Sequence, residues 1–297
     1  MLTAAVTGDV GAGKSTLSRV MGSGGANVIS ADDIAKSQWA KPDILARAAA
    51  RWGSRVLRDG GADFAVVAGI AFSDGADDSE LRFMNSLIHP GTRADIKRAV
   101  SSMRGLVVIE IPLLFESGGY EWIDYIIYAS ASANLRASRN AVRGWDANEL
   151  SRRERFMMSS DEKISLSDIV LTNDGDMASW EEGARVLGGK LMEMAGVYEL
   201  RTHCGSLENA EEIARALLEA KLVVCANMTE AASCYRWKGN LYGENEWEMS
   251  CKTTERNLKE AMKRIRELHT YELPAITAAE LAGSDWRTLE WVVNETK

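Results

Sequence analysis

"VTGDVGAGKSTLSRV", Val6 to Val20, decides the fold of the first half of this chain. Gly8, Gly13, Lys14 and Ser15 meet the spacing G-x-x-x-x-G-K-S, a phosphate cradle when a buried strand precedes it and a helix follows. "LTAAV" (Leu2–Val6) supplies the strand, and "STLSRVM" (Ser15–Met21) opens the helix. In that setting the backbone N–H groups of Gly11, Ala12, Gly13, Lys14 and Ser15 point into the turn, where the helix N-terminus adds positive potential. Lys14 then reaches the terminal phosphates, and Ser15 holds the accompanying Mg2+. The plain alternative is an ordinary strand–helix turn.

Outward from the loop, four more apolar runs carry a strand signal: Asn27–Ile29, Leu106–Ile111, Tyr125–Ala129 and Asp168–Leu171. Their apolar residues are continuous rather than alternating, which predicts strands covered on both faces of a parallel sheet, with helices as crossovers. The fold class is therefore α/β, a P-loop NTPase-type parallel sheet with flanking helices. Ligands of such sheets gather beyond the carboxyl ends of the strands, where "SADD" (Ser30–Asp33) follows the second strand. A carboxylate there can orient an attacking hydroxyl and accept its proton; it can equally cap a helix. Further on, Arg136, Arg139 and Arg143 recur at helical spacing. Arginines of this kind stabilise charge in phosphoryl transfer, although Arg136, Arg152 and Arg153 read as solvated.

The 297 residues, 46% hydrophobic and 26% charged, favour about two domains. A formal charge of −8 argues against nucleic-acid binding. The apolar run Leu106–Phe115 is interrupted by Glu110 and Pro112 and is too short to cross a membrane. With no signal-peptide pattern at the N-terminus and no paired C-x-x-C, the four cysteines read as reduced thiols of a cytoplasmic protein. All four lie in the last third, after a change of rhythm near Ala195–Gly196, which sets the expected domains at 1–195 and 197–297. The second reads strand, helix, strand, strand, helix, strand: "VYELR", "ENAEEIARALLEAK", "LVVCAN" (Leu222–Asn227), a hairpin within Ser233–Lys252, Glu255–His269 and Tyr271–Leu281. This βαββαβ order is ferredoxin-like α+β. One sheet face then lacks a cover.

The succession of the glycine loop, "VISADDIAK", His89–Pro90, "IPLLFE" (Ile111–Glu116), spaced arginines and "SDIVLTNDG" (Ser167–Gly175) resembles dephospho-CoA kinase over roughly residues 1 to 195. The resemblance implies transfer of the γ-phosphate of ATP to the ribose 3′-hydroxyl of dephospho-CoA, giving coenzyme A and ADP. It implies a phosphate loop of Gly11, Ala12, Gly13, Lys14, Ser15 and Thr16, and Asp32 as the acid beside the acceptor hydroxyl. It further implies Arg139 and Arg155 as lid arginines, with Arg143 close behind, and Asn173 and Gly175 near the adenine. Three positions depart from the family pattern: Ser30 where an aspartate is usual, Phe64 for an arginine and Ser159 for a glutamine. A catalytically weakened nucleotide-binding scaffold is the alternative they raise; another small P-loop kinase, for nucleotides or shikimate, is the competing enzyme.

The last hundred residues, through "CYRWKGNL", "KTT" and "ELHTYELP", resemble the CutA divalent-cation tolerance family. That resemblance implies a homotrimer built by sheet-edge pairing, a response to metal ions, and Cu2+ or another divalent cation held by Cys204 and His269. Thiolate and imidazole suit copper chemically. Yet Ala275 and Thr270 replace an acid and a proline of the pattern, and the bland reading makes Cys204 a core thiol and His269 a helix-end residue. A metal-responsive assembly with regulatory nucleotide binding is the third reading of the whole chain.

Overall fold

The computed structural model describes residues 1–72, 79–142, 144, 154 and 157–297. The chain divides into two compact units, Thr3–Gly188, and Met1–Leu2 together with Gly189–Lys297.

The first unit is built on five strands. Strand β1 (Leu2–Gly8) is followed by helix α1 (Lys14–Ser23), β2 (Asn27–Ser30), α2 (Ala31–Gln38) and α3 (Pro42–Trp52). A short hairpin, β3 (Leu57–Arg58) and β4 (Gly61–Ala62), precedes α4 (Phe64–Ala71) and α5 (Ser79–Ser101). Then come β5 (Leu106–Glu110), α6 (Leu114–Ser117), β6 (Tyr125–Ser130), α7 (Ala133–Val142), α8 (Ser160–Ser165), β7 (Ile169–Thr172) and α9 (Met177–Ala195). The sheet order is β2-β5-β1-β6-β7, and the pairs β2–β5, β1–β6 and β6–β7 run parallel.

Burial follows the order. The central strands are sealed on both faces: Ala4, Ala5, Val6, Val107, Val108, Ile109, Ile127 and Tyr128 have no exposed surface, the pattern expected of parallel strands covered by helices. The edge strands β2 and β7 are only half buried. The sheet's chain order reverses around β1, so the loops after β1, β2 and β5 open into one crevice at the carboxyl ends. Gly8, the last residue of β1, has φ 138°, and a Cβ placed there would sit 2.0 Å from the Ala129 carbonyl oxygen on β6. Only glycine lets the chain turn out of the sheet at this point.

The second unit runs β8 (Val197–Cys204), α10 (Leu207–Glu219), β9 (Cys225–Trp237), β10 (Asn240–Thr254), α11 (Glu255–Leu268), β11 (Thr277–Glu280) and α12 (Trp286–Glu295). The order β11-β8-β10-β9 is antiparallel throughout, giving the expected βαββαβ arrangement. Three details differ from expectation, the first being that only Thr277–Glu280 of the strand expected at Tyr271–Leu281 is extended. Of the strand expected at Leu222–Asn227, only Cys225–Asn227 is extended, as the start of the 13-residue β9, which continues through "MTEAAS" into the hairpin. Its exposure alternates rather than vanishing, as in an antiparallel strand with one open face. Lys238 and Gly239, both at positive φ, form the two-residue turn to β10, the type I′ geometry that suits strand twist. Helix α12 buries Leu289, Val292 and Val293 and lies beyond the expected pattern. The core collects Leu200, Cys204, Ile213, Leu217, Met249, Cys251 and Ile265.

Candidate active site

At the carboxyl ends of β1, β2 and β5 lies a cavity of about 370 Å³. Gly11 and Gly13 line it from the loop after β1, Lys14, Ser15 and Thr16 from the first turn of α1, Asp32 from the start of α2, Glu110 from the end of β5, Pro112 and Leu113 from the segment that follows, and Glu116 from α6. Phe72, Leu81, Met84 and Met157 complete an apolar wall, joined by the amide of Asn85. Ala12 is wholly buried behind the loop, and Asn173 and Gly175 do not line the cavity. Arg155 lies outside the described residues, as do Arg143, Arg152 and Arg153.

Gly13 caps α1 in the left-handed region, φ 99°, so the free N–H groups of the first helical turn face the cavity. The Lys14 ammonium donates to the carbonyl oxygens of Gly8 and Asp9, both at 2.9 Å, and burial pushes its pKa down to about 8. Ser15 Oγ donates to Glu110 Oε1 at 2.8 Å. Glu110 ends the strand beside β1, so hydroxyl and carboxylate meet where the loop and that strand terminate. Nothing in the apolar run Leu106–Phe115 marks Glu110 beyond its charge; only the sheet order brings it to Ser15.

Asp32 is in the first turn of α2, and the helix is capped by Ser30, whose Oγ accepts from the Asp33 N–H at 3.1 Å. The N-cap task open to this segment thus falls to Ser30, and Asp32 is left to face the cavity. Asp32 keeps solvent contact at the cavity mouth, and crowding by the surrounding protein, rather than full burial, raises its carboxyl above the ordinary 3.8, with Lys36 and Lys14 pulling it back. The other two departures have local roles as well. Phe64 opens α4 and meets Trp39 edge-on with centroids 6.4 Å apart. Ser159 caps α8 in a capping box with Glu162.

Arg139 on α7 donates to the Asn173 carbonyl at 3.1 Å, to Asn173 Oδ1 at 3.3 Å and to the Gly11 carbonyl at 3.5 Å. Arg136 is not the solvated charge expected: its side chain is 14% exposed, pairs with Glu154 and lies 4.0 Å from Asp9 Oδ2. Asp9 also accepts from Tyr128 OH and Ser160 Oγ, both at 2.7 Å. Behind the cavity wall, Lys163 is 3% exposed and 2.6 Å from Glu116 Oε1. Asp9, Tyr128, Ser160 and Lys163 carry no motif of their own.

In the second unit, Cys204 Sγ and His269 Nε2 are brought to 3.7 Å. His269 Nε2 also faces the His203 carbonyl at 3.0 Å, and Nδ1 accepts from the Tyr271 N–H at 3.1 Å. Since Nδ1 takes a proton donor, Nε2 carries the hydrogen toward the carbonyl, and neither ring nitrogen offers a lone pair. Burial, then Glu246, raises the Cys204 thiol to about 11. The pair as it stands does not fit an ion, and no cluster of three or more potential metal ligands occurs among the described residues.

Residues 2–179 match the dephospho-CoA kinase family, and residues 200–295 match the CutA1 divalent ion tolerance protein family. The chain is 35% identical over 176 residues to dephospho-CoA kinase of Gloeobacter violaceus, covering 58% of this chain and 84% of that protein. It is 32% identical over 200 residues to dephospho-CoA kinase of Syntrophotalea carbinolica, 65% of this chain and 93% of that one. The divalent-cation tolerance protein CutA of Pyrococcus horikoshii is 36% identical over 90 residues, 30% of this chain and 88% of its own length. The phosphate loop, the acid beyond the second strand and these two spans lead to one statement: the chain belongs to the dephospho-CoA kinase family over residues 2–179 and to the CutA1 divalent ion tolerance family over residues 200–295.

Proposed function

We propose that the first domain, residues 1–195, transfers the γ-phosphoryl group of ATP to the ribose 3′-hydroxyl of dephospho-CoA, yielding coenzyme A and ADP. The observation that carries this reading is one cavity lined by Lys14, Ser15, Asp32 and Glu110 together. The acceptor oxygen bonds to the γ-phosphorus while the bond from that phosphorus to the β–γ bridging oxygen breaks, and ADP leaves with that electron pair. The acceptor proton passes to the Asp32 carboxylate, whose raised pKa makes it a better base than an ordinary aspartate. The loop amides and the start of α1 bind the β- and γ-phosphates. Lys14 exchanges its two carbonyl partners for phosphate oxygens, a stronger charge-assisted contact.

Ser15 and Glu110 supply a hydroxyl and a carboxylate oxygen 2.8 Å apart, hard donors of the kind magnesium takes, so the residues present fit this ion. When bound, magnesium neutralises charge on the β- and γ-phosphates. Arg139 and Arg155 are the lid arginines that stabilise charge developing on the transferred group, and Gly175 belongs to the segment beside the adenine. Little covalent work falls to the protein; positioning and charge do the rest. Ser30, Phe64 and Ser159 leave Lys14 and Asp32 in the cavity, which supports an active enzyme over a decayed scaffold.

For the second domain, residues 197–297, we propose a homotrimer. The 13-residue β9 at the sheet edge offers unpaired backbone groups for strand pairing. Metal response remains with the family resemblance, and no step is routed through Cys204 or His269. A cytoplasmic location without nucleic-acid partners is the reading that the charge of −8 supports; among the described residues, no helix is long and apolar enough to cross a membrane. A coupled assay of the full chain with ATP, Mg2+ and dephospho-CoA tests the kinase reading: ADP release matches 3′-phosphorylation one to one. ATP binding without that product favours the scaffold. Light scattering reads three chains per particle if the trimer is right.

A further inference from the structure

The phosphate loop is held from outside as well as from within. Four consecutive carbonyl oxygens, those of Val10, Gly11, Ala12 and Gly13, each face a side-chain donor. Asn140 Nδ2 lies 3.5 Å from Val10 O and Arg139 Nη1 3.5 Å from Gly11 O. Asn173 Nδ2 donates to Ala12 O at 2.8 Å, and Trp180 Nε1 to Gly13 O at 3.3 Å. The last two are the well-formed pair. Both side chains are 5% exposed, and they come from different elements, the end of β7 and the helix α9.

A peptide plane is rigid, with its C=O and the following N–H on opposite sides. The donor that holds the Ala12 carbonyl outward therefore turns the Gly13 N–H inward, while the Gly13 carbonyl, shared between Trp180 Nε1 and the first helical bond from the Leu17 N–H at 3.1 Å, turns the Lys14 N–H the same way. The glycines serve this outer face. A Cβ on Gly13 would meet Asn173 Nδ2 at 2.5 Å and Trp180 Nε1 at 2.9 Å; one on Gly11 would meet Asn140 Nδ2 at 2.8 Å. Room for the donors, and not only for the phosphates, requires glycine at both positions.

We infer that Asn173 and Trp180 are positioning residues for triphosphate binding: they fix the two loop peptides whose amides grip the phosphates, and touch neither nucleotide nor acceptor. The inference rests on the kinase reading above. It assigns Asn173 to the back of the loop rather than to the adenine.

The test uses the full chain and Mg2+-tripolyphosphate, which has phosphates but no base, titrated calorimetrically beside ATP. Trp180→Phe keeps an aromatic ring in the buried site and removes the N–H; Asn173→Ala removes the amide. Each is expected to weaken tripolyphosphate binding about tenfold, ~1.4 kcal/mol. KM for ATP should rise alike and KM for dephospho-CoA stay put. Leu187→Ala, a buried change on the same helix, serves as the stability control: it lowers the unfolding midpoint without weakening tripolyphosphate. Should Asn173→Ala fail to fold, Trp180→Phe decides alone. Wild-type tripolyphosphate affinity in Trp180→Phe overturns the inference, as does a loss seen with ATP but not with tripolyphosphate, which would put these residues on the base. A wild-type chain that binds neither ligand refutes the kinase reading instead.

Discussion

Lys163→Met is the change whose size the structure sets most directly. The ammonium is 3% exposed and 2.6 Å from Glu116 Oε1. At an effective dielectric near 20, two unit charges at that separation attract by about 6 kcal/mol, most of which offsets the cost of taking both ions out of water. Without the lysine, the carboxylate keeps one donor, the Met158 N–H at 2.9 Å, while Oε2 is buried with no partner. Stranding a buried charge in this way costs about 3–5 kcal/mol. For a unit of this size, each kcal/mol moves the midpoint by about 2–4 °C, so the first unit's transition falls by roughly 6–20 °C. Scanning calorimetry on the full chain reads it. The double variant Glu116→Gln with Lys163→Met removes both charges and recovers most of the loss, because a neutral amide is cheaper to bury. A drop below about 2 °C, or a double variant no more stable than the single one, refutes the reasoning.

Asp32→Asn lowers kcat by about 10²- to 10⁴-fold with KM for ATP retained; unchanged turnover removes Asp32 as the base. Because the folded chain raises the Asp32 pKa, wild-type kcat falls on acidification at a higher pH than an ordinary carboxylate would give, and the variant loses that limb. The sign for stability is opposite: the ionised carboxylate is disfavoured above its raised pKa, and this cost fades as pH falls through it. Asp32→Asn therefore raises the unfolding midpoint at pH 7 and not at pH 3, which calorimetry at both values checks. With thiols raised to about 11 and about 12 by burial, Cys204 and Cys251 resist iodoacetamide at pH 8 until the chain is denatured; peptide mass mapping that finds either labelled in the folded protein contradicts this. Cu2+ titration gives the same isotherm for wild type and Cys204→Ser, whereas loss of a site in the variant restores a metal role for the Cys204–His269 pair.

The phosphate loop was legible because its signal is local: glycines, lysine and serine lie within a few residues, and the flanking strand and helix read from continuous apolar runs. Asp32 was legible as a carboxylate just beyond the second strand, although Ser30, and not an aspartate, proved to cap α2. Contacts closed by topology were not. Ser15 meets Glu110 across 95 residues of sequence, and Tyr128 meets Asp9 across 119. One acid ending a buried strand, or one tyrosine inside it, has no periodicity to betray its partner. Arg136 misled for a related reason: a charged helix face is usually solvated, and here Asp9 and Glu154 cover it. In the second unit, "MTEAAS" is polar enough to pass for a loop, yet it pairs residue by residue with β10.

Gly8 touches no part of the bound nucleotide in the proposed mechanism, yet its contact with Ala129 leaves space for hydrogen alone. A saturation screen scored by growth would flag Gly8 as strictly as Lys14, for unrelated causes. Temperature separates them: intolerance born of crowding softens when the host is grown cold or the scaffold is fortified elsewhere, while intolerance born of chemistry does not. Ranking this loop's positions by fitness alone would therefore promote a hinge of the backbone to the rank of a reagent.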